Sequence, residues 1–362
     1  MIGPAQPWQN AAVTGWAEAQ RVRDEQRRAA VLALPVLNVR RHATLTPEHA
    51  DDILITSSIG ANHEAVALWS TAEGSAALAS TTIQPGWASF PDARAPHPVA
   101  ANVTTHAPAQ TTNVPLRALE LAHPMVQPLP DGQILVVAVR CRWMASGPDR
   151  NAIVYDQDGQ VVNEETIGDG IEHVMTTANG DIWVGYFDEG VFGNYGWGDR
   201  GAPPPIGAPG LIRYSTGLQQ EWTYPGDEGS NSGPIYDCYA LNVDGEDAWV
   251  CYYADFPLVR IRGGLVVDWQ NTVAAGAKAL IVSGTEVVLY GGYGPDRDRL
   301  ALGVLADERL SGIGEYRLVL PDGSPIPGGA RVLGRGTDLH IMFDRDWYRL
   351  DLDVILNEAR TG

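Results

Sequence analysis

Four residues have the chemistry for general acid and base catalysis: Glu172, Asp237, His123 and His173. Each stands at the start of an apolar stretch, as do Lys278 and Arg331. Carboxylates and imidazoles gathered at one place are the groups that move protons, and crowding shifts their pKa values towards useful ones. The same four residues offer nitrogen and oxygen ligands to Zn or a similar ion, and Glu172 with Asp237 offers oxygen to Ca. No HExxH or EF-hand spacing supports a metal. The expectation is therefore no obligatory metal or other cofactor, with a channel Ca or Zn ion as the alternative. Structural pairing, for example of Lys278 or Arg331 with Asp237, accounts for the same charges about equally well.

Bringing these positions together requires a repeating architecture, and five copies of one pattern are legible. They are HPMVQPLPDGQILVVAV from His123, EHVMTTANGDIWVGYF from Glu172, YDCYALNVDGEDAWVCYY from Tyr236, AKALIVSGTEVVLYGGY from Ala277 and ARVLGRGTDLHIMFD from Ala330. Each reads strand, tight turn, strand, with Gly132, Gly180, Gly245, Gly284 and Gly336 in the turns. Such glycines supply the positive φ of hairpin turns. Further strands follow, for example Leu211 to Ser215 and Glu221 to Pro225, or Leu258 to Arg262 and Leu265 to Trp269. Four strands repeated every forty to sixty residues or so mark a β-propeller.

The chain is thus expected to be all-β, a single β-propeller of six four-stranded blades over 36–362, preceded by an N-terminal helical extension over 1–35. A degenerate sixth copy is read near the N-terminus, from Val36–Leu45, Asp51–Ile59, Glu64–Ser70 and the AALAST stretch. The Pro/Ala/Thr-rich segment at about 84–115 reads as a surface excursion, because prolines disfavour strands. The helix reads from Gly15 to Leu34, stopped by Pro35.

In a propeller the first strand of each blade lines the axis and the second returns, so strand-one starts and the loops after strand two share a face. That places Trp143, Asp188, Glu189 and Tyr293 beside the ionisable set, with His63, Glu64, Asp255, Asp296 and Asp344. The longest of these loops, about Phe187 to Pro209, carries Phe192, Tyr195 and Trp197, and follows Tyr186. Large apolar groups are rarely left in water, so they form either a lid or pocket wall, or a cover for their own blade. Adjacent strand residues face opposite sides, so Glu172 and His173 both reach the channel only if a bulge intervenes. By the same alternation Cys238 packs between blades when Asp237 faces the axis.

A formal charge of −19, with no basic patch, argues against nucleic acid as a partner. Three cysteines without a CxxC pair suit a reducing compartment. No apolar run approaches the ~20 residues of a membrane helix, and the first thirty or so residues lack a signal core. A cytoplasmic protein without a membrane partner is the expectation. There is no GxSxG elbow or Walker loop, and the Gly-rich pieces GGYGPDRD and GAPPPIGAPG precede no helix, so no phosphate cradle is read.

The NGDIWVGY stretch, and more loosely DGEDAWVCYY, resembles the repeats of six-bladed propellers related to gluconolactonase, strictosidine synthase and the streptogramin lyases. In gluconolactonase-like members the resemblance implies a channel metal held by Glu, Asn and Asp, with Glu172 and Asp237 at such places but no Asn partner. In strictosidine synthase-like members it implies a channel Glu assisting amine and aldehyde condensation, for which Glu172 stands nearest.

The functional expectation is a propeller enzyme acting on a small organic molecule at the channel mouth by acid/base chemistry of hydrolase, lyase or condensation type. Glu172, Asp237, His123 and His173 would be catalytic. Tyr186, Asp188, Glu189, Phe192, Tyr195, Trp197, Trp143 and Tyr293 would bind a cationic or aromatic ligand. The alternatives are a non-catalytic small-molecule, sugar or peptide binder, or a protein-interaction scaffold.

Overall fold

All five turn glycines adopt positive φ, from 54° at Gly245 and Gly336 to 91° at Gly180. Each closes a hairpin between an inner strand and the strand after it. The computed structural model describes residues 7–83, 89–226 and 232–361, with the backbone alone for 7–15 and 360–361.

Among the described residues the strands form six antiparallel four-stranded meanders. The first holds Ile53–Ile59, Ala65–Ser70, Arg94–His106 and Gln110–Leu121, and the second holds Pro124–Pro128, Ile134–Ala138, Ala152–Tyr155 and Val161–Glu165. The third holds Ile171–Thr176, Ile182–Tyr186, Leu211–Tyr214 and Gln220–Thr223, and the fourth holds Asp237–Asp244, Asp247–Tyr253, Leu258–Arg262 and Leu265–Asn271. The fifth holds Ala279–Ser283, Glu286–Tyr290, Arg299–Ala306 and Arg309–Val319. A short parallel contact, Gln270 with Arg309 and Asn271 with Leu310, joins the fourth to the fifth. The sixth holds Arg331–Arg335, Asp338–Phe343 and Asp346–Asp351, and takes its fourth strand, Arg40–Thr44, from the other end of the chain.

Apolar clusters fill every gap between successive meanders. Val66 and Leu68 pack with Val136, Leu135 with Val184, Trp183 with Val250, Cys251 with Leu289, and Ile281 with Ile341. The last gap, between the sixth meander and the first, holds Ile59, Trp69, Met342 and Trp347. Burial of each such side chain stabilises the fold by about 1.5–3 kcal/mol. The inner strands also pack in a ring, each on the next and the sixth on the first. This is a propeller-like arrangement of sheets. It explains why the second strands are largely apolar, as in IWVGY, where every residue is buried: both faces meet a neighbouring sheet. The outermost strands are wetter, as in Val161–Glu165.

The N-terminal reading needs correction in three places. Val36–Asn38 lies parallel to Arg317–Val319 and Arg40–Thr44 closes the sixth meander, so neither begins an N-terminal unit. The first half of the expected AALAST strand is the end of a helix, Ala72–Leu78, because Thr71 caps it by accepting from the Gly74 N–H at 3.2 Å and alanine favours the helix. The segment expected as an excursion carries the two longest strands, Arg94–His106 and Gln110–Leu121. Its prolines are tolerated for local reasons. Pro96 and Pro98 fall in a register irregularity, Pro108 in the hairpin turn, and Pro115 on an edge strand. These strands complete the first meander rather than adding another.

The N-terminal helix runs Pro7–Leu32, eight residues earlier than expected, and ends before Pro35 as the residue preceding a proline avoids the helical region. Arg27 ties it to Asp296 at 2.8 Å, and Arg28 to Asp298. No helix among the described residues is long and apolar enough to cross a membrane.

Candidate functional site

The starts of the inner strands meet at a cavity of about 770 Å³. Glu172 and His173 reach it from the third meander, Asp237 and Tyr239 from the fourth, Lys278 from just before the fifth and Arg331 from the sixth. The condition set by alternation is met by a bulge. Ile171 pairs with Tyr186 and His173 with Gly185, leaving Glu172 as an extra residue without an opposite number. The fourth inner strand repeats the device, with Cys238 opposite Tyr252, Ala240 opposite Cys251, and Tyr239 extra. Bulges re-aim side chains at the ends of strands, and here they let neighbouring residues share one cavity.

The carboxylates interact. Burial, followed by the nearby charges of Asp188 and Glu172, pushes the Asp237 carboxyl up to about 6. Burial lowers the His173 pKa against the opposing pull of Glu172, so its imidazole is neutral, and its Nε2 has no hydrogen-bond partner. Arg331 is lowered by burial and partly restored by Glu172, and it donates to the Thr56 hydroxyl at 3.0 Å. Cys238 is buried between the third and fourth meanders as expected, and burial drives its thiol far above the reactive range.

His123 is not part of this constellation. It lines an adjoining depression with Ile55, Thr56 and Leu78, and its Nε2 is 2.7 Å from the Ser80 carbonyl, which fixes the ring there.

Of the expected binding residues only Asp188 lines the cavity. Tyr186 is core: fully buried, it donates to the Ile167 carbonyl and lies 3.0 Å from the Tyr214 hydroxyl. Trp197 is buried too and donates to Cys141 O at 2.8 Å. Glu189, Tyr195 and Trp143 belong to a clamp around the buried Arg140. Its guanidinium meets Glu189 at 2.7 Å and Asp169 at 2.9 Å, lies 3.9 Å over the Tyr195 ring, and the Trp143 N–H donates to Tyr195 O at 2.9 Å. Phe192, 64% exposed, stacks on Tyr236, and Tyr293 donates to the Tyr239 hydroxyl at 2.7 Å on the rim. The long loop therefore gives the cavity its first two residues, Phe187 and Asp188, as wall, while Tyr195 and Trp197 pack at Arg140 and Cys141 and Phe192 stacks on Tyr236 before the fourth meander. It does not close over the mouth.

Tyr239 is a cavity residue that sequence reasoning missed, although two-residue alternation from Asp237 pointed to it. Arg297 and Asp298 carried no such signal. They reach the cavity through the loop that the N-terminal helix holds.

The other end of the axis is spanned by polar groups. Arg335, from the sixth inner strand, donates to Thr176 O on the opposite third strand. Asn242 exchanges two bonds of 2.8 Å with the Gly336 backbone. His63 belongs to this end and not to the mouth, because its loop joins the first and second strands of the first meander.

His63, Asp338 and His340 bring ligand atoms within 4.8 Å of one another there. The donor set does not suit a metal. The Trp347 indole N–H, which can only donate, bonds His340 Nδ1 at 3.0 Å, so the ring's proton sits on Nε2. Arg349 occupies both Asp338 oxygens, each at 2.8 Å. The four mouth residues form no comparable group among the described residues.

A second cavity, of about 750 Å³, lies at the outer strand edges of the fourth and fifth meanders among Asp268, Asp307 and Glu308. It lies away from the inner-strand starts, so the axial mouth, where strand-one residues of several meanders converge, is the better candidate.

Fold and cavity together define a propeller-type β protein with an axial pocket in which charged groups sit among apolar ones. The YxzG family profile matches residues 229–289, a minority of the chain, and no curated protein matches. Similar solved structures include apo AztD from Citrobacter koseri, at 10% identity over 87% of this chain and 84% of that one, TM-score 0.38. Another is the gluconolactonase XC5397 from Xanthomonas campestris, at 12% identity over 86% and 99%, TM-score 0.37. A third is a catalytically inactive virginiamycin B lyase from Staphylococcus aureus with quinupristin, at 11% identity over 85% and 98%, TM-score 0.36. At these scores the likeness carries no argument about activity, which rests on the chain's own residues.

Proposed function

We propose that the six meanders are the six blades of a closed propeller, and that the protein is an enzyme acting on a small organic molecule at the mouth by acid/base chemistry. The observation that carries the reading is Asp237. A carboxyl raised to about 6 by burial and by the Asp188 and Glu172 carboxylates is poised to take and return a proton near neutral pH. Glu172 stays beside it as the second carboxylate, and the neutral His173 imidazole, with its free Nε2, is the third proton-handling group. His123 supports the wall. Phe187, Tyr239 and Tyr290 add aromatic surface beside these carboxylates, a combination that suits an amine-bearing substrate.

The test is a screen of lactones, esters, amides and amine–aldehyde pairs, followed by the pH–rate profile of any hit. The expected profile has a limb near pH 6 that Asp237→Asn removes, with activity falling by a factor of about 10²–10⁴. Turnover unchanged in both Asp237→Asn and Glu172→Gln would sink the acid/base reading.

A further inference from the structure

The charges that the inner strands bring to the mouth are sorted by sign, while Arg297 and the Arg28-paired Asp298 enter from a loop of the fifth meander. Around the ring the third and fourth inner strands contribute Glu172 and Asp237, with Asp188 beside them, while the fifth and sixth contribute Lys278 and Arg331. The second meander brings neutral groups, Met125 and Val139. Because the sixth strand lies across the ring from the third, Arg331 and Glu172 face each other over the cavity, close enough to influence each other's charge.

Opposite charges that share a cavity ordinarily pair where they are buried, since an unpaired buried charge is costly; of these four, Asp237 and Arg331 are partly buried and Glu172 and Lys278 are exposed. They do not pair. Among the described residues Glu172, Asp237, Lys278 and Arg331 have no ion-pair partner, although Arg140, Arg299 and Arg349 elsewhere each hold a carboxylate within 3.0 Å. The Arg331 guanidinium has one side-chain partner, the neutral Thr56 hydroxyl. Four of its five donor hydrogens are left for a ligand.

We infer that the mouth recognises a zwitterion: a small molecule whose carboxylate is held by Arg331 and Lys278, whose ammonium faces Glu172 and Asp237, and whose apolar part lies along Met125 and Val139. Amino acids and short peptides with free ends are this chemical class. A guanidinium receives a carboxylate through two parallel hydrogen bonds, and a ligand carrying both charges neutralises both walls at once. The inference rests on the amine-binding reading of the same cavity and adds the second, anionic anchor.

The experiment is calorimetric titration with L-phenylalanine and L-phenylalanyl-L-phenylalanine, each alongside its C-terminal amide and its N-acetyl form. The expected result is that a zwitterion binds about tenfold or more tightly than either blocked counterpart. Arg331→Gln should narrow the gap between zwitterion and amide several-fold, Lys278 keeping the remainder. Glu172→Gln should narrow the gap between zwitterion and N-acetyl form. Lys278→Ala, at an exposed position where folding is not in question, should weaken the zwitterion several-fold and leave the amide unchanged. An amide that binds the wild type as well as the zwitterion overturns the inference while leaving amine recognition standing. An N-acetyl form that binds as well overturns both. No saturable binding by any of the six up to about 10 mM overturns the inference, and the pH–rate profile then judges the acid/base reading separately.

Discussion

Arg28 of the N-terminal helix grips both carboxylate oxygens of Asp298, a residue of the cavity wall, with Nη2 donating to Oδ2 at 2.9 Å and Nη1 to Oδ1. Burial alone would raise the Asp298 pKa, but the hydrogen bonds and charge of Arg28, with smaller help from the backbone and Arg297, together outweigh it and hold the carboxyl below its ordinary value. The helix is thus fastened to the cavity and not merely appended to the propeller.

Arg28→Met should leave that carboxylate buried without its partner. Urea unfolding is expected to show a loss of about 1.5–3 kcal/mol, and the helix should become the first site of proteolytic cleavage. Arg23→Met, on the exposed side of the same helix, should change stability by less than about 0.5 kcal/mol.

Asp237→Asn should stabilise the protein at alkaline pH. The folded carboxyl titrates at about 6, above its ordinary value of 3.8, so its favourable contribution is complete below 3.8 and lost as pH rises through 6. The variant, which cannot ionise, should therefore melt higher than wild type at about pH 8 and equally at about pH 4. The gain at the higher pH is expected at about 1 kcal/mol after discounting for solvent screening. A variant less stable than wild type there would contradict the raised pKa.

Arg140→Met removes a buried cation from between Asp169 and Glu189. Losing one member of a buried ion pair costs about 3–5 kcal/mol, and the loop from Phe187 to Pro209 should become cleavable at Arg200 under limited trypsin digestion. If the loop instead stays protected, its aromatic packing holds it without the clamp.

His340 should be a source of acid lability. Burial holds its imidazole down to about 3, so it contributes stability that is complete above about 6.5 and is lost as pH falls towards 3. His340→Leu should flatten the stability profile over that window. It should also lower stability near neutral pH by about 1–3 kcal/mol, because the Trp347 indole N–H loses its acceptor. Guanidinium melts from about pH 4 to neutrality measure both effects.

The inner hairpins were legible because local chemistry declares them. An Asn-Gly turn between apolar strands, as at Gly180, is a strong local hairpin signal, and the strand-one residues Glu172, His173 and Asp237 followed from counting backwards from the turn. The bulge at Glu172 was legible only as a condition. Whether an extra residue is accommodated depends on how Ile171 and His173 pair across the strand, which no local pattern states.

The aromatic loop was misleading for a related reason. Phe192, Tyr195 and Trp197 announce that apolar groups must be covered, but the hydrophobic effect has no direction. Tyr195 and Trp197 went to the surface around Arg140 and Cys141, and Phe192 to Tyr236. Tyr186, read as pocket wall, turned inwards because its hydroxyl found Ile167 and Tyr214 within the third meander.

By itself the sequence determined the all-β class, the five turns and the strand-one starts that meet at the mouth, since these depend on φ preferences and side-chain alternation within a few residues. Tertiary structure alone decided that Arg40–Thr44 closes the last meander and that Pro96, Pro98 and Pro115 sit within strands. It also decided that Arg331 faces Glu172 across a shared cavity. Those outcomes depend on which surfaces meet when the ring closes, between residues as far apart in the chain as Arg40 and Arg349.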